Sequence, residues 1–196
     1  MRLPLFPLKT VLFPGGLLPL KVFEQRYIDM AKDCLANDLP FGVCLLTEGE
    51  EVARTPGAVP EFVNVGTIAR ITHWDMPQLG ILHVTTSGES RFLIRSHQVE
   101  PSGLIVGDVT PLDPEPPSVL APAFRDLASL LELIAQRVGP QNFPAGHEFD
   151  SASWVGYRLA EVLPLPLNIK QTMLEINDAD VRLQVLQKFL KQQGVL

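Results

Sequence analysis

Lysine is scarce in this sequence and absent from its middle. None of the six lysines lies between Lys32 and Lys170, and the net charge of the 196 residues is −6. A protein that binds along a phosphate backbone usually presents a basic face to it. The composition therefore argues against a nucleic-acid partner.

Cysteine is rarer still. Only Cys34 and Cys44 are present, too few for the disulfide framework of a small secreted domain. The residues around them predict a helix and a strand, in which cysteine behaves as a small buried hydrophobe. We expect two reduced core thiols and, from them, a cytoplasmic protein.

A long uninterrupted hydrophobic run is also missing. The apolar segment LPLFPLKTVLFPGGLLPLKVFEQRY, residues 3–27, is broken by Lys9, by four prolines and by a Gly-Gly pair. A membrane-spanning helix needs about 20 consecutive apolar residues, and a signal peptide needs a basic start, a continuous apolar run and a cleavage site. We expect neither, and no membrane partner. Proline suits the starts and edges of strands, so the pattern predicts strands over Leu3–Leu8 and Leu17–Phe23, joined by a Pro-Gly-Gly turn.

The rest of the first 110 residues alternates between short hydrophobic segments and polar connections. Helical spacing predicts a helix over Glu24–Asn37, and strict alternation predicts a strand over Val63–Ile71. Further strands are predicted over 41–46, 81–86, 91–95 and 104–110, with loops over 47–61 and 73–80. Short strands at this spacing predict a compact, mostly antiparallel sheet or barrel.

The composition changes at PLDPEPPS, residues 111–118. Four prolines in this segment can continue neither a sheet nor a helix. We therefore predict a β-rich subdomain over 1–113 and a helical subdomain over 117–196.

Helices are predicted throughout the second subdomain. Apolar residues spaced alternately by four and three predict one helix over Leu120–Val138, and a second is predicted over Ser151–Leu163. A third is expected to begin at Asn168, with Gln171 as its capping-box partner. The last is expected to be capped by Asn177 or Asp178.

Several motifs carry a family resemblance. They are LPLFPL (3–8), VLFPGGLLPLKVFEQRY (11–27), VGTIARI (65–71), SRFLI (90–94), LPLPLNIKQTMLEIND (163–178) and RLQVLQKFL (182–190). Together they resemble the N-terminal substrate-binding domain of the Lon protease family. The resemblance implies an α+β fold in which a PUA-like β-barrel with one helix is followed by a C-terminal helical bundle. It also implies a bacterial protein of proteolysis-related quality control that binds unfolded or specific polypeptides, and it leaves room for a separate ATPase or protease as a partner.

The modules that make Lon an enzyme are not expected here. A complete Lon protease continues into an ATPase module and a Ser-Lys protease module, whereas this sequence ends at Leu196. The sequence contains no Gly-Lys pair, so the loop that cradles nucleotide phosphates is missing. The lysine of a Ser-Lys dyad must be buried and neutral, and the lysines here occur in segments that look exposed. We expect no catalytic residue and no cofactor.

Four histidines are the first candidates for metal binding or catalysis: His73, His83, His97 and His147. None of them stands in a metal-ligand motif. Because His83 lies inside a predicted strand, we assign it a structural role, and we expect no metal site.

Two charged groups admit a binding or a structural interpretation. Glu24, Arg26 and Tyr27 open the first predicted helix, where Glu24 favours the helix dipole and Arg26 is expected to pair with an acid. Arg91 and Arg95 are expected on one strand face, which is a solvated surface by default and an anion site as the alternative.

The predicted loop THWDMPQLG, residues 72–80, is the strongest candidate for binding. Exposed aromatic and methionine side chains suit adaptable recognition of apolar peptide segments. We predict a polypeptide-binding surface formed by Trp74 and Met76, with Phe13 and Pro14 on a similar surface. The alternative is that Trp74 folds back as a lid on the barrel.

Three functions are therefore open. The favoured one is a non-enzymatic polypeptide-binding module. The second is an enzyme with an unrecognised small-molecule site, which would need coupled titratable residues in a pocket. The third is RNA binding, which PUA-like barrels perform elsewhere but which the acidic composition opposes.

Overall fold

The structure is a computed structural model that describes residues 1–48, 60–139, 143–144 and 146–196. The chain divides into two compact units, Met1–Asp113 and Pro114–Leu196. The first is called the strand unit and the second the helical unit. The mixed α+β content expected from the sequence is confirmed.

The strand unit contains six strands and one helix among its described residues. The strands are β1 (Arg2–Leu8), β2 (Leu17–Val22), β3 (Phe41–Glu48), β4 (Glu61–Gln78), β5 (Ile81–Val99) and β6 (Ile105–Pro111), and the helix is α1 (Gln25–Asn37). Helix α1 begins one residue after its predicted start. It buries Tyr27, Ile28 and Cys34 on one face, as helical spacing predicts.

The six strands form one sheet in the order β2-β5-β4-β3-β1-β6, and β6 also pairs with β5. The hydrogen-bonded pairing therefore runs from β5 through β4, β3, β1 and β6 and back to β5. Among the described strands, β1 and β3 pair in parallel and every other pair is antiparallel. The predicted mostly antiparallel sheet is confirmed.

The interior of the strand unit is apolar and tightly packed. One cluster lies against α1 and includes Phe6, Leu8, Tyr27, Val43 and Val84, and a second includes Leu3, Leu5, Phe92, Ile94 and Ile105. Gly66 on β4 lies against the backbone of β3 and the ring of Phe92. A Cβ atom there would lie 2.4 Å from the carbonyl oxygen of Val43 and 2.6 Å from Cζ of Phe92. The core therefore requires glycine at this position because no side-chain atom fits.

The prediction of a loop over 73–80 is wrong. Strand β4 continues to Gln78 and β5 starts at Ile81, so a two-residue turn at Leu79 and Gly80 joins two long strands. The strands predicted separately over 81–86 and 91–95 are parts of β5. Cross-strand pairing along this hairpin outweighs the local turn signal of Pro77 and the polar residues beside it. Of the loop predicted over 47–61, residues 49–59 lie outside the described residues.

The helical unit contains four helices among its described residues, after a short 3-10 turn over Pro122–Phe124. They are α2 (Arg125–Val138), α3 (Ala152–Val162), α4 (Leu167–Glu175) and α5 (Ala179–Gln192). Helix α3 is central, since it packs against α2, α4 and α5. Of the loop predicted between α2 and α3, residues 140–142 and 145 lie outside the described residues.

Capping residues define two of these helices. The Ser151 hydroxyl accepts a hydrogen bond from the Trp154 amide at 3.3 Å, and the Asp178 carboxylate accepts one from the Val181 amide at 3.0 Å. Of the two residues predicted as possible caps, Asn177 and Asp178, Asp178 is the cap. The predicted capping box of Asn168 and Gln171 is wrong, because α4 already begins at Leu167.

Two arginines are the largest fully buried side chains of the described residues, Arg158 and Arg182. The Arg182 guanidinium binds both carboxylate oxygens of Glu115, at 2.8 and 3.1 Å. It also donates to the carbonyl oxygens of Met173 and Ile176, at the end of α4, and lies 3.8 Å from the ring centre of Tyr157. Neither arginine was singled out by the sequence pattern.

Candidate polypeptide-binding surface

Large apolar side chains are exposed at the outer end of the β4–β5 hairpin. Trp74 is 54% exposed, Leu79 in the turn 94% and Phe23 52%. The register places all three at one end of the sheet. Trp74 pairs with Val84, and Val22, which precedes Phe23, pairs with Leu82. We name the set Phe23, Trp74, Met76 and Leu79 the hairpin-end surface.

Backbone hydrogen bonds between β4 and β5 hold the hairpin-end surface in place. Gln78 pairs with Ile81 directly beside the turn, and Gly80 adopts the left-handed conformation with φ of 83°, which glycine tolerates best. Met76 is partly buried and packs against the core cluster under α1. Met76 therefore anchors the hairpin end, whereas Trp74 and Leu79 project into solvent.

A groove of about 260 Å³ opens beside this surface. Its wall is largely apolar and is lined by Phe6, Leu8, Pro19, Leu20, Lys21, Val22, Phe23, Glu24 and Tyr27. The rings of Phe6 and Tyr27 stack with their centres 3.9 Å apart. The groove thus offers a rigid apolar floor, while Lys21 and Glu24 supply its charged groups.

The charged group at the start of α1 stabilises this region. Arg26 pairs with Glu24 at 3.0 Å, donates to the carbonyl oxygen of Gly103 at 2.9 Å and lies 4.5 Å from the ring centre of Tyr27. The acidic partner of Arg26 is Glu24, two residues before it, rather than a distant acid of the sheet. The structural interpretation of these residues fits better than a separate binding site.

The structure corrects the placement of Phe13 on the surface. Its side chain is fully buried, with 0% exposed, so its ring cannot contact a polypeptide in this conformation. The segment is held inward because the Thr67 hydroxyl donates to the carbonyl oxygen of Leu12 at 2.6 Å and the Gly15 amide donates to that of Gly88 at 2.8 Å. Pro14 beside it is half-buried.

Arg91 and Arg95 do not form one solvated face. Arg91 is buried at 4% exposure and donates to the carbonyl oxygen of Asp113 at 3.4 Å. Arg95 is exposed and donates to the Thr110 hydroxyl at 3.2 Å. A register shift between Ile94 and Ser96 interrupts the ladder beside Arg95. The shared-face interpretation is therefore wrong.

Three of the four histidines lie exposed on the long hairpin: His73, His83 and His97. His83 is opposite both Lys21 and Asp75 in the register, so it is a surface residue rather than a core residue. His97 contacts Phe62, with ring centres 5.0 Å apart. No group of three or more potential ligands is arranged for a metal ion within the described ranges.

The two cysteines are buried and free, as predicted. Burial raises the pKa of the Cys34 thiol to about 11 and also raises the pKa of Cys44. Both thiols are therefore protonated at neutral pH. A nucleophilic or metal-binding cysteine would need the opposite shift.

Three titratable groups with shifted pKa values lie together on α3 and α4 of the helical unit. Arg158 pairs with Glu161 at 3.1 Å, and Lys170 donates to the carbonyl oxygen of Glu161 at 2.7 Å. Burial raises the pKa of Glu161 and lowers those of Lys170 and Arg158. These residues do not line the groove of the strand unit. Their arrangement ties α3 to α4.

Sequence reasoning did not single out two residues of the surface, Phe23 and Leu79. Leu79 precedes Gly80 in the two-residue hairpin turn. Because residues 73–80 were predicted as a loop, this turn was not recognised. Phe23 sits between a strand and a helix start, where its exposure depends on which strands pair.

A comparison with solved structures agrees with this architecture. A Lon N-terminal domain protein from Xanthomonas campestris is 36% identical, with a TM-score of 0.77 over 96% of this chain and 98% of that one. The N-terminal domain of a Mycobacterium avium complex Lon protease shares the fold, with a TM-score of 0.62 and 17% identity over 97% and 98% of the two chains.

Full-length relatives match over a small part of their length. The Lon protease of Cytophaga hutchinsonii is 26% identical over 185 residues, which are 90% of this chain and 22% of that protein. Lon protease 2 of Myxococcus xanthus is 43% identical over 70 residues, which are 35% of this chain and 8% of that protein. The chain thus matches less than a quarter of the length of either protease.

The family profile described as the ATP-dependent protease La (LON) substrate-binding domain matches residues 2–192. This chain belongs to that family, as its motifs predict. Among the described residues, no helix has the length and apolar character needed to span a membrane.

Proposed function

We propose that this chain is a polypeptide-recognition module that binds apolar segments of unfolded or specific clients without chemical catalysis. The observation that carries the proposal is the exposure of Phe23, Trp74 and Leu79 at the end of the sheet that holds the β4–β5 turn. Exposed apolar side chains that cluster in this way are typical of interaction sites.

The chemistry of the surface suits a client that is not folded. Apolar side chains of an unfolded polypeptide would bury area against Trp74 and Leu79, and one of them would enter the apolar groove beside β2. A folded client would have most of those side chains in its own core. The family membership supports the same substrate class, since the matched profile is a substrate-binding domain.

The closed set of ladders supports the finer description of the strand unit as a PUA-like barrel. In this proposal the barrel holds the hairpin as a rigid platform, and the partner that receives the client is a separate ATPase or protease. The chain itself would contribute binding alone.

Fluorescence anisotropy with a labelled, permanently unfolded polypeptide tests the proposal. We expect binding to the unfolded form, little binding to the native form of the same polypeptide, and no change on adding ATP. Trp74→Ala should weaken the affinity by about 10-fold or more, because a central aromatic contact is worth on the order of 2 kcal/mol.

A matched pair of leucines provides the control. Leu79→Ser removes an exposed leucine from the surface, whereas Leu133→Ser removes one on α2 that is 64% exposed. Only the first should weaken binding. Equal effects of both changes, or no binding by the unmodified protein, would reject the hairpin-end surface as the site.

A further inference from the structure

The helical unit carries a second cavity that the proposed function does not use. It measures about 520 Å³ and is lined by Pro117, Ser118, Val119, His147, Glu148, Phe149, Asp150 and Ser151. Two of its lining residues, Val119 and Ser151, form an isolated antiparallel bridge. The Leu120 amide donates to the carbonyl oxygen of Asp150 at 2.8 Å, and the Ala152 amide donates to that of Ser118 at 3.0 Å.

The segment that carries Val119 is also anchored from behind. The buried Glu115 carboxylate is bound by Arg182 on α5 and accepts a hydrogen bond from the Ser153 hydroxyl on α3. Two helices thereby hold one side of the cavity in place. Val119 is nevertheless 82% exposed. The lining of the cavity therefore includes an apolar side chain that no described residue covers.

Two rings of the lining, those of His147 and Phe149, belong to an aromatic cluster. Phe149 contacts Trp154 with ring centres 5.1 Å apart and His147 with centres 5.4 Å apart, both nearly edge to face. Phe143 closes the group at 5.8 Å from Trp154. These contacts fix the orientation of Phe149, which is only half-buried and lines the cavity. A fixed, partly exposed ring is a surface on which a cation can stack.

The charge of the cavity is of one sign. Glu148 and Asp150 flank Phe149 and are exposed. The described lining includes neither lysine nor arginine, and neither carboxylate has an ion-pair partner within the described ranges. The cavity thus combines an aromatic ring, an exposed valine and two available carboxylates, which complements a ligand that is cationic and flat.

We propose that this cavity binds a guanidinium group, as carried by an arginine side chain. A guanidinium stacks on an aromatic ring and simultaneously donates to carboxylates in its own plane, whereas a lysine ammonium is a compact, strongly hydrated charge. In this arrangement the group stacks on Phe149, donates to Glu148 and Asp150, and rests its methylene chain on Val119. The inference does not depend on polypeptide binding by the hairpin-end surface.

Nuclear magnetic resonance of the full chain tests it directly with N-acetyl-arginine amide as the probe. Amide signals of Val119, Phe149 and Ser151 should shift in a saturable manner in the millimolar range, at constant ionic strength. N-acetyl-citrulline amide has nearly the same shape without the charge and should cause little shift. N-acetyl-lysine amide should bind more weakly than the arginine probe.

Two exposed-residue variants separate specific recognition from general attraction. Glu148→Gln with Asp150→Asn should lower the affinity about 10-fold, as expected for two partly exposed charge contacts. Glu132→Gln with Asp180→Asn removes the same charge from α2 and α5 and should have little effect. An equal response to citrulline, an equal loss in both double variants, or no saturable shift would overturn the proposal.

Discussion

The two units of this protein fill their interiors with different chemistry. In the strand unit the largest fully buried side chains are rings, Phe13, Phe41 and Phe92. In the helical unit they are Arg158 and Arg182. The comparison shows that a sheet whose strands pair in a ring and a group of short helices differ in the kind of large side chain that they bury.

The backbone explains the difference. Strands that pair on both sides satisfy their own amides and carbonyls, so the space between them can be filled by apolar side chains. A short helix leaves its last carbonyl groups without partners. Arg182 donates to the carbonyl oxygens of Met173 and Ile176 at the end of α4. Charged hydrogen bonds from a buried arginine to backbone carbonyls thus add to the apolar core of the helical unit.

The chain offers a way to follow each unit separately, because Trp74 lies in the strand unit and Trp154 in the helical unit. With Trp154 replaced by Phe, fluorescence reports the strand unit. With Trp74 replaced by Phe, it reports the helical unit. Urea unfolding of these two backgrounds is the measurement for the predictions that follow.

The largest expected effect is that of Arg182→Ala on the helical unit. Removing the guanidinium leaves the Glu115 carboxylate, 5% exposed, buried without its main partner. Breaking a buried pair in this way costs on the order of 3–5 kcal/mol in the free energy of unfolding. The urea midpoint of unfolding, followed by Trp154 fluorescence, should therefore fall.

Arg125→Ala is the control for Arg182→Ala, since Arg125 is exposed on α2 and should cost little. Replacing both partners, as Glu115→Gln with Arg182→Met, should recover part of the loss. A loss below about 1 kcal/mol, the range of exposed pairs, would show that the buried pair is not what orders this unit.

The next largest effect is expected for Gly66→Ala in the strand unit. The added methyl group would clash with the Val43 carbonyl oxygen and the Phe92 ring. Overpacking of a tight core costs about 1–3 kcal/mol, and unfolding followed by Trp74 should show it. Ser90→Ala on the exposed part of β5 serves as the control and should be nearly neutral. A neutral Gly66→Ala would mean that volume does not limit this core.

A smaller effect concerns the Cys34 thiol and pH. Its pKa is raised by burial from 9.0 to about 11, so the folded state holds the proton more tightly than the unfolded state. The resulting stabilisation is fully present below pH 9 and is lost as the pH rises from 9 to 11. The free energy of unfolding should therefore fall less steeply over this window in Cys34→Ala than in the unmodified protein. Identical slopes would contradict the shift.

The smallest effect on stability is expected at the hairpin-end surface. Trp74→Phe and Leu79→Ser change exposed side chains, and such substitutions usually alter the free energy of unfolding by less than about 0.5 kcal/mol. Urea unfolding followed by circular dichroism should give nearly unchanged midpoints. A marked loss with Leu79→Ser would show that Leu79 supports the fold, and its effect on polypeptide binding would then need a different explanation.

Several elements could be predicted because their signals are local. Helical spacing identified α1 and α3, and short polar side chains before an apolar stripe limited the cap of α5 to Asn177 or Asp178. The motifs around Phe-Pro-Gly and Phe-Glu-Gln-Arg-Tyr identified the family. The Asn168 cap was wrong because α4 begins at Leu167, directly after Pro166.

The candidate surface could be predicted only in part. Trp74 is exposed and Met76 is partly so, and their role in binding stays a prediction. Phe13 was misplaced because a Phe-Pro-Gly-Gly turn is compatible with either an exposed or a buried ring. Its segment is held by Thr67, which donates to the carbonyl oxygen of Leu12, and by the close approach of Gly88 to the Phe13 backbone, both more than 50 residues away in the sequence.

The amino-acid sequence by itself determined the family and the positions of α1 and α3, because these depend on neighbouring residues. Tertiary structure alone decided that residues 72–78 extend a strand, that Phe13 turns inward and that Arg182 is buried against Glu115. Each of these outcomes is set by partners distant in sequence. Whether a polar or aromatic side chain faces water depends on the free energy of those contacts, which no local pattern encodes.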